Sequence, residues 1–443
     1  MASIAIPGYR LTEQIYSGSR TEVYRGISES DTQPVVIKLL KSDHPPLNEQ
    51  VQFRNQYTIA KNLDLPGVVK HLRLQTFDRK LVLVLEDFGG ISLTEEMQKW
   101  GERGFGTSAD SLQEFLQIAI HVVESLEGLY QNRVIHKDIK PDNILINPET
   151  RQIKLIDFSI STLLPKENQE IQNPNVLEGT LPYMSPEQTG RMNKSIDYRT
   201  DFYSLGVSFY ELLTGQLPFQ SDDPMELVHC HIARKPIPPV DVNPLIPQVL
   251  SNMVIKLMAK TAEERYQSAF GIKHDLEKCL QEYSDKGRIS PFDLAKRDIA
   301  ERFSIPETLY GREPEVATLL AAFDRVSSGS TEMMLVAGFS GIGKTAIVNE
   351  VHKPIVRQRG YFIKGKYDQF KRDIPFSAWV QAFQNLIRQL LTESAADLAE
   401  WKAKILAALG ENGQVIIDVI PELEILIGKQ PPLAELEGSA AQR

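Results

Sequence analysis

The stretch that most constrains this chain is V-I-H-K-D-I-K-P-D-N-I-L, residues 134–145, followed by a second strand-like run at 153–156 that ends in Asp157-Phe158. A β-branched pair delivers a polar loop carrying His136, Asp138, Lys140 and Asn143; an apolar strand then delivers another carboxylate, Asp157. In-line transfer of a phosphoryl group asks little covalent chemistry of a protein. It needs a carboxylate beside the accepting hydroxyl and oxygen ligands for magnesium on the phosphates. Asp138 suits the first role and Asn143 with Asp157 the second, while Lys140 can neutralise charge on the moving group. Asp and Asn also serve turns, but H-x-D-x-K-P-x-N before an apolar-Asp-Phe is a specific order.

At these residues the chain resembles eukaryotic-type protein kinases, and the K-P-x-N ending is similar to their serine/threonine branch rather than the tyrosine branch. The resemblance implies a two-lobed α+β fold over residues 1–283, ATP and Mg2+ as cofactors, and a protein substrate with a Ser or Thr acceptor. Taken from the N-terminus, the remaining motifs come in the order that this reading requires. In I-Y-S-G-S-R-T-E-V, residues 15–23, Gly18 keeps its place in the hairpin over the phosphates, with Tyr16 and Thr21 where the family has its outer glycines. Ile15 and Val23 would sandwich adenine. The β-branched run 34–40 carries one inward lysine, Lys38, matching the strand lysine that contacts the α/β-phosphates. The helix expected over 47–62 should offer that lysine a glutamate, and by register it offers Gln56. An amide gives a hydrogen bond in place of an ion pair and so holds Lys38 less firmly. The apolar strand 80–85 leads to a hinge, in which the Glu86 carbonyl and the Phe88 N–H would bind adenine and Leu85 would be the gatekeeper. Helical apolar spacing from Leu112 to Leu129 marks a core helix of the large lobe.

Two further departures concern control. Lys137 stands where many kinases have the arginine that receives an activation-loop phosphate, and lysine copies that bidentate pairing poorly. No Ser, Thr or Tyr lies between Leu163 and Gly179. Together they predict that phosphorylation in mid-loop does not switch this kinase. D-F-S at 157–159 replaces D-F-G, retaining the metal-binding Asp157 while discouraging left-handed backbone at 159. Downstream, G-T-L-P-Y-M-S-P-E-Q places Thr180 to bond the Asp138/Lys140 pair. Glu187 is expected to pair with Arg265, and Asp201 opens the helix that should anchor the catalytic loop from below.

Residues 284–306 read as an exposed linker with a short helix near 293–303. A second unit, 307–443, centres on an apolar strand at 333–337 followed by G-F-S-G-I-G-K-T and a helical A-I-V-N-E-V. That is the strand, loop and helix context of a Walker A motif. Gly338, Gly341, Gly343 and the helix start would cradle phosphates, Lys344 would reach the β/γ oxygens, and Thr345 would ligate Mg2+. The opening G-R-E-x-E and the later Y-D-Q-F-K-R-D-I-P-F are similar to AAA-like signal-transduction NTPases that follow such kinase domains in bacterial multidomain proteins. The α/β P-loop fold is therefore expected in part, ending inside the domain, and further signalling modules are its expected partners. Asp418 could complete a magnesium site but reads better as part of a packed helix. The apolar stripe from Phe376 to Leu390 reads as core.

Composition narrows the rest. A length of 443 residues accommodates more than one core, and 42% apolar with 24% charged residues is ordinary for globular protein. A net charge of −9 gives no electrostatic case for nucleic acid. Two cysteines leave no disulfide framework, no apolar run is long enough to span a bilayer, and a cytoplasmic setting is expected. Two other readings stay open at this stage: a pseudokinase scaffold, suggested by Gln56, the thinned glycine loop and D-F-S, and a switch gated by nucleotide at the Walker A loop.

Overall fold

A computed structural model of the chain describes residues 6–42, 45–77, 80–98, 109–163, 179–189, 196–299, 311–339, 342–349, 361, 363–365, 367, 376–390 and 395–431. Period-2 alternation organises the small lobe. In β3 (Pro34–Leu40), Val35, Ile37 and Leu39 pack on one face with Val82 and Val84 of β5 (Lys80–Glu86). Val36 and Leu40 pack on the other against Phe53 of helix α1 (Leu47–Ala60). Lys38 shares this second face, which turns it toward the helix and the cleft. With β1 (Tyr9–Ser17), β2 (Thr21–Ser28) and β4 (His71–Phe77), these strands form an antiparallel sheet of order β1-β2-β3-β5-β4.

The large lobe is helical. After β6 (Ile91–Ser92) and α2 (Leu93–Gln98), helix α3 (Ala109–Gln131) buries Leu112, Phe115, Leu116, Ala119, Val122, Val123, Leu126 and Leu129, the residues of the predicted stripe. Short strands β7 (Val134–Ile135), β8 (Ile144–Ile146), β9 (Ile153–Leu155) and β10 (Thr162–Leu163) frame the cleft: β7 pairs with β10, and β8 lies between β6 and β9. Beneath them α4 (Arg199–Thr214) is sunk in the core and ends on left-handed Gly215. Helices α5 (Pro224–Ala233), α6 (Pro239–Val242), α7 (Gln248–Leu257) and α8 (Ala269–Lys286) complete the lobe.

The expected Glu187–Arg265 pair is present and bidentate, at 2.6 and 2.8 Å, with both residues buried. Arg265 also donates to the carbonyls of Ala259 and Arg199, and Thr200 donates to Glu187, so few polar atoms of the pair go unsatisfied. Burial pushes the Glu187 carboxyl up, but Arg265 outweighs it and the net shift is downward.

The stretch after residue 283 departs from the sequence reading. Helix α8 continues to Lys286, residues 294–297 form a turn, and no helix is found over 293–299. Instead of standing exposed, Ile289, Phe292, Leu294 and Ala295 pack against the large-lobe core. Apolar side chains spaced through a polar sequence had concealed a docking face.

In the second unit, helix α9 (Glu313–Ser327) and the short α10 (Lys344–Asn349) flank residues 333–337, which are not a strand. Among the described residues none pairs with that backbone, and Met333 and Leu335 are 97% and 91% exposed. A strand needs a ladder partner, which an apolar run alone does not supply. The helix Ser377–Leu390 buries Ile387 and Leu390 with Ile417, Ile420 and Leu426. It leaves Trp379 and Phe383 57% and 44% exposed, so the apolar stripe there is only partly core. Asp418 lies in the helix Gly413–Val419, accepting from Gln414, as the packed-helix reading has it. No helix among the described residues is long and apolar enough to cross a membrane.

Arg265→Ala should lower unfolding free energy by about 3–5 kcal/mol, because it strands a buried carboxylate. A denaturant midpoint unchanged from wild type would contradict this.

Candidate active site

The site is held from below. The buried Asp201 carboxylate, near the start of α4, accepts the backbone N–H of His136 at 2.8 Å and of Lys137 at 2.7 Å. Burial raises the Asp201 pKa, and the two N–H bonds oppose that shift. Lys137 adopts a left-handed φ of 70°, which turns the chain so that the next side chain, Asp138, faces the cleft. The Asp138 N–H donates to His136 Nδ1, so the His136 proton lies on Nε2, which donates to the Ile156 carbonyl at 2.9 Å. One buried imidazole thus ties the catalytic loop to the strand that delivers Asp157.

Two side chains and one backbone N–H converge on Asp138. Asn143 Nδ2 donates to both its carbonyl and its Oδ2 at 2.8 Å, Lys140 Nζ lies 3.1 Å from Oδ2, and the Thr180 N–H donates to Oδ1 at 3.0 Å. Lys140 also donates to the Thr180 hydroxyl. The Asn143 carbonyl accepts from the Ile156 N–H at 3.0 Å, which brings the Asp157 end of the strand alongside.

Asp157, with a left-handed φ of 65°, pairs with Lys38 at 3.2 Å. Burial pushes its carboxyl up, but the charge and hydrogen bond of Lys38 outweigh burial and hold it down to about 2. Lys38 also donates to the buried Gln56 amide at 3.1 Å, the neutral contact read from the sequence. Ser159 itself carries no positive φ, so serine in place of glycine costs nothing in this conformation. Phe158 is fully buried between His136 and His71, with ring centroids 4.9 and 5.9 Å away.

Around the rest of the cleft, the β1–β2 turn closes with the Gly18 N–H on the Thr21 carbonyl. A Cβ at Gly18 would collide with the Tyr16 phenol, so glycine here answers to a close approach rather than to a left-handed turn. Ile15 is exposed, and Val23 lies opposite Tyr16 on the partner strand. At the hinge, Glu86 is fixed by Lys154 and by the Lys70 N–H, while Asn147 donates to the Phe88 carbonyl.

Several of these supports were not singled out from sequence. Asn55 donates to the carbonyls of Ser159 and Ser161, and Gln188 donates to the Lys137 carbonyl. Asn147 and Lys154 belong with them. Each is a polar residue in ordinary sequence, and its partner is distant along the chain.

At the second candidate site, Gly343 has φ 93°, and Lys344 Nζ donates to the Gly338 and Phe339 carbonyls at 2.8 Å. Gly341 and the side chain of Thr345 lie outside the described residues, as does most of Y-D-Q-F-K-R-D-I-P-F.

A twisted sheet lobe over a helical lobe, with a lysine, two carboxylates and an asparagine meeting between them, defines the class of two-lobed phosphotransfer folds. Residues 9–279 match the family described as protein kinase domain, and this chain belongs to that family. Residues 308–443 match the family described as AAA ATPase domain, so an α/β P-loop NTPase unit follows the kinase. Hybrid signal transduction histidine kinase G of Dictyostelium discoideum is 33% identical, over 74% of this chain and 12% of its own length. A probable serine/threonine-protein kinase of Clostridium perfringens is 34% identical, over 62% of this chain and 38% of its own. Serine/threonine-protein kinase PrkC of Bacillus subtilis is 30% identical over 61% and 40%. The chain thus covers well under half of the length of each of these relatives.

Burial pushes the His71 imidazole down to about 4 and His231 to about 3, from an ordinary 6.5. Their protons are taken up more readily by the unfolded chain, so stability should fall as pH drops below 6.5 toward 4. The His71 share approaches about 3 kcal/mol at the acid end. His71→Leu should flatten that slope in unfolding measured between pH 7 and 4; an unaltered slope would count against it.

Proposed function

We propose that this chain is an ATP-dependent serine/threonine protein kinase acting in signal transduction, with protein Ser or Thr hydroxyls as acceptors. The observation that carries the reading is the bonding at Asp138: Asn143 and Lys140 share one carboxylate oxygen and the Thr180 N–H takes the other, beside Asp157. The donor set fits a magnesium nucleotide. Asp157 is ionised at neutral pH and pairs with Lys38, the lysine that would contact phosphates. Asn143 and Asp157 would hold Mg2+, which would supply positive charge to offset that of the phosphates.

The chain's own residues do the rest. Ile15 and Val23 cover the adenine, the Glu86 carbonyl and Phe88 N–H read its edge, and Gly18 lets the hairpin approach the phosphates. Lys38 orients the α/β-phosphates. Asp138 accepts the proton of the acceptor hydroxyl through Oδ1 or Oδ2, and Lys140 steadies the γ-phosphate as the bond to the leaving oxygen breaks. In the second unit Gly338, Gly341, Gly343 and Lys344 would cradle a second nucleotide, with Thr345 on its Mg2+. A cytoplasmic setting suits the two buried free thiols, Cys230 and Cys279.

Asp138→Asn should reduce phosphate transfer to a protein acceptor by at least about a thousandfold while nucleotide affinity stays within about twofold. Equal residual activity would remove Asp138 from the role of base. Gln56→Glu should raise kcat several-fold by converting a neutral contact to Lys38 into an ion pair. The Lys38–Gln56 bond also supports a second reading, a domain that binds nucleotide without transferring it. Tight Mg-ATP binding by wild type with no labelled acceptor would favour that one.

A further inference from the structure

Residues 288–298 are bound to the large lobe by more than apolar packing. The Ser290 N–H donates to Glu282 at 2.7 Å, and the Ala295 N–H donates to the buried Asp275 at 2.8 Å. Phe292 lies under the Lys278 ammonium, 3.9 Å from the ring centre. The strongest contact comes last. Asp298 accepts the Gln267 N–H at 2.6 Å and the Ser268 hydroxyl at 2.7 Å, and Ser268 is itself the N-cap of α8. A carboxylate thirty residues downstream therefore completes the start of that helix. Gly271, in its first turn, admits that carboxylate; a Cβ there would collide with it.

From Asp298 a continuous set of bonds runs to the catalytic loop. The Gln267 side chain accepts from Arg199 at 2.8 Å, and its carbonyl accepts from the Tyr198 hydroxyl. The Arg199 carbonyl accepts from Arg265, which clamps Glu187. Gln188, the next residue, donates to the Lys137 carbonyl at 2.7 Å, one residue from Asp138.

We propose that Asp298 is a positioning residue: docked at the head of α8, it fixes Gln267, and through Arg199 and Glu187 it sets the acceptor side of the active site. The kinase unit then extends to residue 298, past the boundary at 283. The strap joining it to the second unit becomes the element through which that unit can alter phosphotransfer. This rests on the kinase reading above for its catalytic readout only.

The full chain is compared with Asp298→Ala and with Gly271→Ala, which expels the carboxylate while giving α8 a better helix former. Amide hydrogen exchange at Gln267, Ser290 and Ala295 should quicken about tenfold in each, the loss expected for a charge-assisted bond. Exchange at 181–188 should quicken with it. KM for a Ser/Thr peptide should rise about threefold or more, with KM for ATP held within about twofold. A strap that exchanges faster while 181–188 and the acceptor KM stay at wild-type values would overturn the proposal, as would unaltered strap exchange in both variants. Should Asp298→Ala fail to fold, Gly271→Ala decides. If wild type transfers no phosphate, the kinase reading fails on its own, and exchange at 181–188 alone judges the relay.

Discussion

The arrangement depends on one buried carboxylate taking two successive backbone N–H groups. Asp201 lies in the core of the large lobe, where an unbonded charge would be costly, and it is satisfied by the amides of His136 and Lys137. Those bonds hold Lys137 at a φ that a lysine otherwise avoids. From that one strained residue the geometry follows: Asp138 faces the cleft, His136 faces the core, and Asn143 closes the loop back on Asp138. The loop is rigid because its backbone is bonded to a helix, and its polar side chains are held in place at the cleft by one another and by Thr180.

A second constraint joins the lobes. Lys38 stands on a small-lobe strand and Asp157 on the loop after a large-lobe strand, yet they touch. Asn55 on α1 binds two carbonyls of the same loop, and Phe158 is held between a histidine of each lobe. The Asp157 loop therefore belongs equally to both halves, and moving α1 would disturb Lys38 and Asp157 at once.

Much of this was legible in the sequence because it is either local or fixed by the order of the motifs. The period-2 pattern of residues 34–40 puts Lys38 on the cleft face, and helical spacing from Leu112 to Leu129 names the core side of α3. The Lys38–Gln56 contact was readable from register, and Glu187 with Arg265 from motif order. What escaped is long-range and chemically ordinary. Asn55, Asn147 and Gln188 are amides whose partners lie tens of residues away, and nothing in their neighbours distinguishes them from solvated surface. The strap was misread for a related reason: proline, glycine and charge around residues 284–298 look like a linker, whereas Asp298 finds its use only when α8 is in place. Conversely, residues 333–337 have a strand's composition but find no strand partner among the described residues.

The left-handed turn at this loop sits on Asp157, with Ser159 in ordinary backbone. Replacing the customary glycine is therefore neutral for the inward state, but it penalises any alternative that rotates position 159 into the left-handed region. The conformational repertoire is narrowed from one side. Small molecules that bind protein kinases by drawing the equivalent phenylalanine outward would meet here a chain reluctant to release Phe158, whereas those that accept the inward ring would not.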